Sequence, residues 1–334
     1  MADMLELPYT SPSETSDDGP ALAVLGDRLF IAWVGSGNDH LNIMPSVDRN
    51  GHVEFDSDAK VIVDTFISQE LHSLGGPALT TTSDGQLLLA WTHNGGGILG
   101  PGEAQSMFGI TFDQQLNRTG HVPSLEDTSD LGPALANWAA GNGANIAWTG
   151  RGNRLLNVMQ RRVRDDAGTF RDAFDGDTRF TSPNETSPFR PALCVSDWPN
   201  FTIYIGWTGE GDGELNTMLC NNPDPFVGAP PPATTFDSVT KVTISNETSA
   251  SALAIEALGR GLYLCWRGTD NNQINLLGMD LGSELRNKRP PSGQTTGHHP
   301  AIRAFRGRLF VAWTGEDDHL NLAQTAPLFS PTHP

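Results

Sequence analysis

The chain has 334 residues, with 39 acidic against 21 basic side chains and a formal net charge of −18. That charge argues against nucleic acid or an acidic membrane surface as partner, since both need a basic face. With 36 Gly, 23 Pro and no apolar run near the ~20 residues of a membrane-spanning helix, the composition is that of a turn-rich all-β chain with room for a large core.

In chain order, the first predicted element is a short strand over 5–10, followed by Glu14-Thr15-Ser16. A phrase then begins that recurs to the end: Pro20-Ala21-Leu22, an apolar run ending at Trp33, a polar loop, and Leu41-Asn42. An outer strand, Lys60-Val61-Ile62-Val63, completes the unit. The second copy runs from Pro77-Ala78-Leu79 to Trp91, where the expected Leu-Asn gives way to a longer Gly-rich loop from His93 to Phe108. Copies three and four each follow a junction phrase, Glu126-Asp127-Thr128-Ser129 and Glu185-Thr186-Ser187. They run from Pro133 through Trp148 to Asn157, and from Pro191 through Trp207 to Asn216. The fifth follows Glu247-Thr248-Ser249 and reads Ser251-Ala252-Leu253, Trp266, Ile274-Asn275; the sixth reads Pro300-Ala301-Ile302, Trp313, Leu320-Asn321 and lacks an outer strand.

The tryptophans recur every 47–59 residues, within the roughly 40–60 residues of a propeller blade. The prediction is one all-β domain over 1–334, a six-bladed β-propeller with four antiparallel strands per blade. The blades lie near 19–74, 75–131, 132–189, 190–249, 250–296, and 297–334 plus 5–18. Residues 5–10 supply the outer strand missing from the sixth copy and close the ring, which removes exposed sheet edges. Leu29 to Trp33 and Leu309 to Trp313 are continuous apolar runs, as suits strands covered on both faces. Gly26-Asp27, Asp84-Gly85 and Arg306-Gly307 supply the preceding hairpin turns. Residues repeated in nearly every blade are scaffold: the Trp as core, and the Asn of Leu-Asn as a loop tie.

Cys194, Cys220 and Cys265 show no metal-ligand spacing and read as buried thiols, a Cys194–Cys220 bridge being the lesser alternative. Residues 1–6 show no basic and apolar regions of a secretion leader, whereas four sequons, at Asn117, Asn184, Asn200 and Asn246, leave secretion open. Acidic loops such as 209–214 match no EF-hand spacing and read as solvated turns. His298 and His299 are adjacent, so on an extended strand they point to opposite sides and suit no shared metal. No metal and no cofactor is expected.

Function must come from what the repeats do not share. Loops before Pro-Ala-Leu bring Asp17, Asp18, His72, Asp130, Phe189, Arg190, His298 and His299 to one rim. Loops after the Trp bring His40, His93, Arg151, Arg154, Glu210, Asp212, Arg267, Asp270 and 317–319 to the same rim. Unlike polar groups converging on one mouth predict a single small-molecule site. The blade-two loop, apolar at Ile98, Leu99, Met107 and Phe108, reads as a lid. No sialidase Asp-box, kelch or nucleophile-elbow pattern occurs, and only Tyr9, Tyr204 and Tyr263 are available as tyrosine nucleophiles. A multivalent lectin, the alternative class, should replicate its sugar-binding set in most blades, and these rim residues differ from blade to blade.

The series Glu-Thr-Ser, Gly-Pro-Ala-Leu, Ala-Trp-Thr-Gly and Leu-Asn resembles a group of bacterial and fungal β-propellers. Among fungal members it is similar to the hetero-Diels–Alderases of tropolone–sesquiterpenoid biosynthesis. The resemblance spans all six copies and rests on scaffold motifs. It implies a cofactor-free cycloaddition between a tropolone o-quinone methide and a humulene-type alkene, both apolar small molecules. On that implication Arg190, His298 and His299 contact the tropolone oxygens or act as acid, and Asp18 orients them. Ile98, Leu99, Met107, Phe108 and Phe189 form an apolar wall, with His72, His93 and Arg267 as further binding residues.

Overall fold

The computed structural model describes residues 5–63, 65–66, 69–70, 72–93, 105–122, 127–138, 143–166, 169–197, 201–221, 234–281, 286–289 and 292–325. Among the described residues six antiparallel blade sheets form, one per copy of the phrase, beside a separate two-stranded pairing of Thr65–Phe66 with Gln69–Glu70. Each runs from an inner strand to an outer one, for example Ala192–Ser196, Thr202–Thr208, Glu214–Asn221 and Thr235–Thr248 in blade four. Every inner strand packs against the inner strands of both neighbouring blades, blade six against blade one, so the sheets close into a ring. No α-helix occurs among the described residues, only two 3-10 turns, Ser57–Ala59 and Gly176–Thr178. These turns split the outer edges of blades one and three. In blade one His52–Phe55 and Val61–Val63 both pair with Leu41–Arg49.

The chain start closes the circle. Leu5–Thr15 pairs antiparallel with His319–Thr325, with Leu5 opposite Thr325 and Thr15 opposite His319. This closing strand is longer than the 5–10 expected. The second strands are buried on both faces, and all six repeated tryptophans are fully buried between blades. Truncating such a residue costs about 3–5 kcal/mol. Arg306 and Gly307 form their hairpin turn with φ of 51° and 73°, the left-handed pair that a tight hairpin requires. Cys194, Cys220 and Cys265 are all free and buried.

The repeated Asn is a corner tie. Its amide donates to the carbonyl two residues back at 2.8–2.9 Å: Asn42 to His40, Asn157 to Leu155, Asn216 to Glu214, Asn275 to Gln273, Asn321 to His319. In three blades its oxygen accepts from an outer-strand threonine, Thr10, Thr181 or Thr243, at 2.5–2.7 Å. In these five blades the glycine after the second strand faces this amide so closely that a Cβ on Gly209 would lie 3.1 Å from Asn216 Nδ2 and 2.6 Å from Asp212 Oδ1. One residue type thus fixes the loop, the outer strand and the need for glycine.

A second repeated unit stitches outer edges together. Glu14 meets Lys60 at 2.8 Å, Asp127 meets Arg179 at 2.9 Å, and Glu185–Lys241 and Glu247–Lys288 both close at 2.6 Å. The cations of the last three lie 5.3–5.9 Å from the ring centres of Trp148, Trp207 and Trp266 in their own blades. Each contact contributes on the order of 1 kcal/mol or less.

Deleting residues 1–12 strips blade six of its outer strand and Asn321 of its Thr10 donor. The melting temperature is expected to fall by roughly 10 °C or more. An unchanged melting curve would mean that the ring does not depend on this strand.

Candidate active site at the channel mouth

The loops that enter the inner strands are shaped by one hydroxyl each. In five blades the side-chain oxygen of Ser16, Ser129, Ser187, Ser249 or Thr296 accepts the amide two residues on, at 3.0–3.2 Å. The threonine ending a second strand then donates to the next blade's loop. Thr92 bonds Leu131 O, Thr149 bonds Phe189 O, Thr208 bonds Ser251 O and Thr314 bonds Asp18 O, at 2.6–2.9 Å. These bonds draw the loops inward around the axis.

The residue two before the start of each inner strand is Gly19, Gly76, Gly132, Arg190, Ala252 or His299 in blades one to six. On one side of the ring the backbones touch, which is why glycine is required there. A Cβ on Gly76 would sit 2.6 Å from Gly19 O, and one on Gly132 would overlap Gly76 O. On the other side, Arg190 and His299 extend large side chains over the axis. Arg190 Nη1 reaches from blade four to blade two and donates to Gly76 O at 2.7 Å and Pro77 O at 2.8 Å. The result is a cavity of about 220 Å³ at the mouth, with Leu74, Leu131 and Phe189 as apolar wall and Asp18, Arg190, Arg267, His298 and His299 as polar wall.

Asp18 is the electrostatic centre. Its Oδ1 accepts the Gly19 amide and its Oδ2 the Gly76 amide, both at 2.6 Å. His299 Nδ1 lies 3.3 Å and His298 Nδ1 3.8 Å from Oδ1. Burial pushes the Asp18 carboxyl up, but the His299 bond, the nearby charges and the Gly19 amide outweigh it and hold the group well below the usual carboxylate range. Burial lowers Arg190 to about 10 against the pull of Asp18, so it stays charged at neutral pH. Burial and then the Arg190 charge push His299 down, outweighing Asp18. A neutral His299 whose Nδ1–H donates to a carboxylate presents Nε2 as a lone-pair acceptor. That Nε2 is buried and has no hydrogen-bond partner among the described residues. The chemistry available is a carboxylate–imidazole general base with a guanidinium beside it.

Asp18, Arg190, His298, His299, Phe189 and Arg267, singled out from the sequence, all line this one cavity. The two histidines both face Asp18 rather than opposite sides, because Thr296 curls this stretch into a turn instead of a strand. Arg190 pairs with neither Asp130 nor Glu210, which bind Arg151 and Arg154 at 3.3 and 2.6 Å. His72 is not in the cavity; its ring lies 5.7 Å from His40. His93 is buried edge-on to Phe108 at 5.8 Å. Met107 and Phe108 are core, not lid. They open the third strand of blade two, Met107–Phe112, where Met107 is fully buried and Phe108 stacks on Trp91. Ile98 and Leu99 lie outside the described residues. The backbone N–H and C=O groups of Gly76 were not anticipated. Aligning the residue before each Pro-Ala-Leu exposes the column in which only blades four to six depart from glycine.

No protein-family model and no curated protein matches the chain. Solved structures do match in fold. An α-L-arabinofuranosidase from Fusarium graminearum with an iminosugar inhibitor has a TM-score of 0.60 at 14% identity, over 98% of this chain and 97% of that one. An α-L-arabinanase from Penicillium chrysogenum with arabinobiose has a TM-score of 0.58 at 13% identity, over 97% of both. The SapL1 lectin with α-methyl fucoside has a TM-score of 0.56 at 11% identity, over 95% and 98%. The neighbours of this propeller fold thus include both glycoside hydrolases and lectins, and at these identities the likeness is one of fold.

The lowered pKa of His299 gives stability a pH dependence. Below roughly 6.5 the unfolded chain takes up a proton that folded His299 refuses. Stability is therefore expected to fall as pH drops from 7 towards 5, before Asp18 protonates. His299→Asn should flatten that slope in denaturant titrations; an unchanged slope places its origin elsewhere.

Proposed function

We propose that this propeller is a single-site enzyme acting on a small organic substrate at the channel mouth. The reaction we infer is the cofactor-independent hetero-Diels–Alder coupling of a tropolone o-quinone methide to a humulene-type alkene. The observation that carries the enzyme reading is the Asp18–His299 pair, with the unpartnered Nε2 beside the charged Arg190 in one cavity. The choice of reaction rests on the resemblance of the repeat motifs.

In this reading His299 Nε2 takes the proton of the ring hydroxyl of a hydroxymethyl tropolone. Electron density moves through the ring, the hydroxymethyl C–O bond breaks, and the same proton passes to the departing hydroxyl as water. Base and acid steps of this kind contribute about 10²–10⁴-fold. Asp18 holds the imidazole tautomer and steadies the imidazolium between the two transfers. Arg190 stabilises charge on the tropolone oxygens. The cavity, at about 220 Å³ below the ~300–1,000 Å³ of typical ligand pockets, suits the flat oxygenated partner alone. The alkene approaches from the open side over Phe189, and holding the two partners in line contributes up to about 7–11 kcal/mol.

A sugar-binding propeller would place equivalent sites at the blade junctions. Here the repeated junction residues engage one another. The tryptophans are fully buried, and the acids Glu14, Asp127, Glu185 and Glu247 are paired with cations. That favours the single asymmetric cavity.

Purified protein supplied with a hydroxymethyl tropolone and a humulene alcohol should form the dihydropyran adduct. His299→Ala should lower the rate about 10²-fold or more with an unchanged fold, and Arg190→Ala should lower it too. Full activity and stereoselectivity in both variants would overturn the proposal. Several equivalent sugar sites per chain by calorimetry would decide for the lectin class.

A further inference from the structure

The position that ends each second strand carries threonine in four blades, Thr92, Thr149, Thr208 and Thr314, and each makes the inter-blade bond described above. Blade one has Val34 there, and blade five has Arg267. Arg267 preserves the scaffold role, since its Nη1 donates to Gly297 O in the next blade's loop. Its Nε is fixed by Asn272 Oδ1 at 3.0 Å. What the exchange adds is a positive charge on the cavity wall.

The wall then holds two guanidiniums, Arg190 and Arg267, against one carboxylate, Asp18, with His299 held towards neutrality. Neither guanidinium is in ion-pair contact with a carboxylate among the described residues; both are anchored by neutral oxygens. In a chain of net charge −18, a wall with excess positive charge stands out against the surroundings. Guanidinium forks match paired oxygens that share a negative charge.

We infer that the cavity selects an acidic enol or phenol with two neighbouring oxygens and binds it as its anion, with Arg267 the residue that sets this preference. The inference rests on the single-site reading above and deepens it. The ring hydroxyl gives its proton to His299 Nε2 on binding, and the two arginines receive the oxyanion. A neutral ether of the same shape has no proton to give and no charge to match.

The test uses tropolone and its O-methyl ether as probes, titrated into the whole protein and followed by calorimetry and absorption. At a pH where free tropolone is largely un-ionised, bound tropolone should show the anion's spectrum, and the ether should bind at least roughly 10-fold more weakly. Arg267→Thr installs the residue that four other blades carry, so it should fold normally. It should lose about 10-fold in tropolone affinity while leaving the ether unchanged. Equal affinities for the two probes, a neutral spectrum for bound tropolone, or unaltered binding in Arg267→Thr would each overturn the inference. Anion selectivity in a protein that forms no adduct would support it while removing the catalytic reading. Adduct formation without anion selectivity would remove this inference alone.

Discussion

The hydroxyl bond from one blade's second strand to the next blade's entry loop is the interaction on which the mouth of this ring depends. Each Thr92-type bond joins two sheets that share no hydrogen-bonded strand pairing. Packing of tryptophans between sheets is non-directional and tolerates small slips. A 2.6–2.9 Å bond from a short β-branched side chain does not, because its rotamers are few. The loops held this way form the cavity wall, so the scaffold and the site share one set of contacts. Where the position departs from threonine, Arg267 keeps the bond through Gly297 O, whereas Val34 of blade one has no side-chain donor to make it.

Concentrating polar groups at the axis carries a desolvation cost, and the geometry shows how it is met. A half-buried carboxylate near an axis is unfavourable in an acidic protein unless it is fully hydrogen-bonded. Asp18 receives amides from blades one and two and an imidazole from blade six, while the Arg190 charge from blade four acts on it at longer range. Four blades converge on one oxyanion. Removing any of them leaves the others under-compensated, so the groups proposed for chemistry also hold the mouth together. The pH slope of stability therefore reads the desolvation of this network, whereas the proposed rate loss in His299 variants would read its buried, unpartnered Nε2.

The ring was legible in the sequence because repetition multiplies a weak signal. A single Ala-Trp-Thr-Gly means little, but six variants of it recurring every 47–59 residues fix the blade count, and Glu14-Thr15-Ser16 ahead of the first complete copy points to the closing strand. Arg190 and His299 were legible for the opposite reason, as departures within a shared column, and Asp18 as the acid one position before it. What misled was local pattern without register. Met107 and Phe108 look like lid residues only if the Gly-rich loop is taken to run through them. Pairing of Thr92 with Met107 and Trp91 with Phe108 makes them strand. Adjacent histidines looked opposed because an extended backbone was assumed, where a threonine hydroxyl bends it. The roles of Gly76 N–H and C=O were beyond sequence reasoning, since a backbone group has no letter of its own.

Fold likeness alone leaves two kinds of propeller in play, and the distinction turns on where unsatisfied recognition capacity lies. At the blade junctions the acids and cations pair with each other, and Lys241 and Lys288 lie between a carboxylate and a buried ring. A ligand arriving there would have to break an ion pair and expose a tryptophan to gain equivalent contacts. At the mouth the balance is reversed. Asp18 has all its partners, yet His299 Nε2 has none among the described residues, and Arg190 and Arg267 rest on neutral oxygens. Binding energy is available where polar groups have been desolvated in advance and left short of partners. In this ring that condition is met by an asymmetric set drawn from different blades, which is the arrangement a single substrate orientation requires.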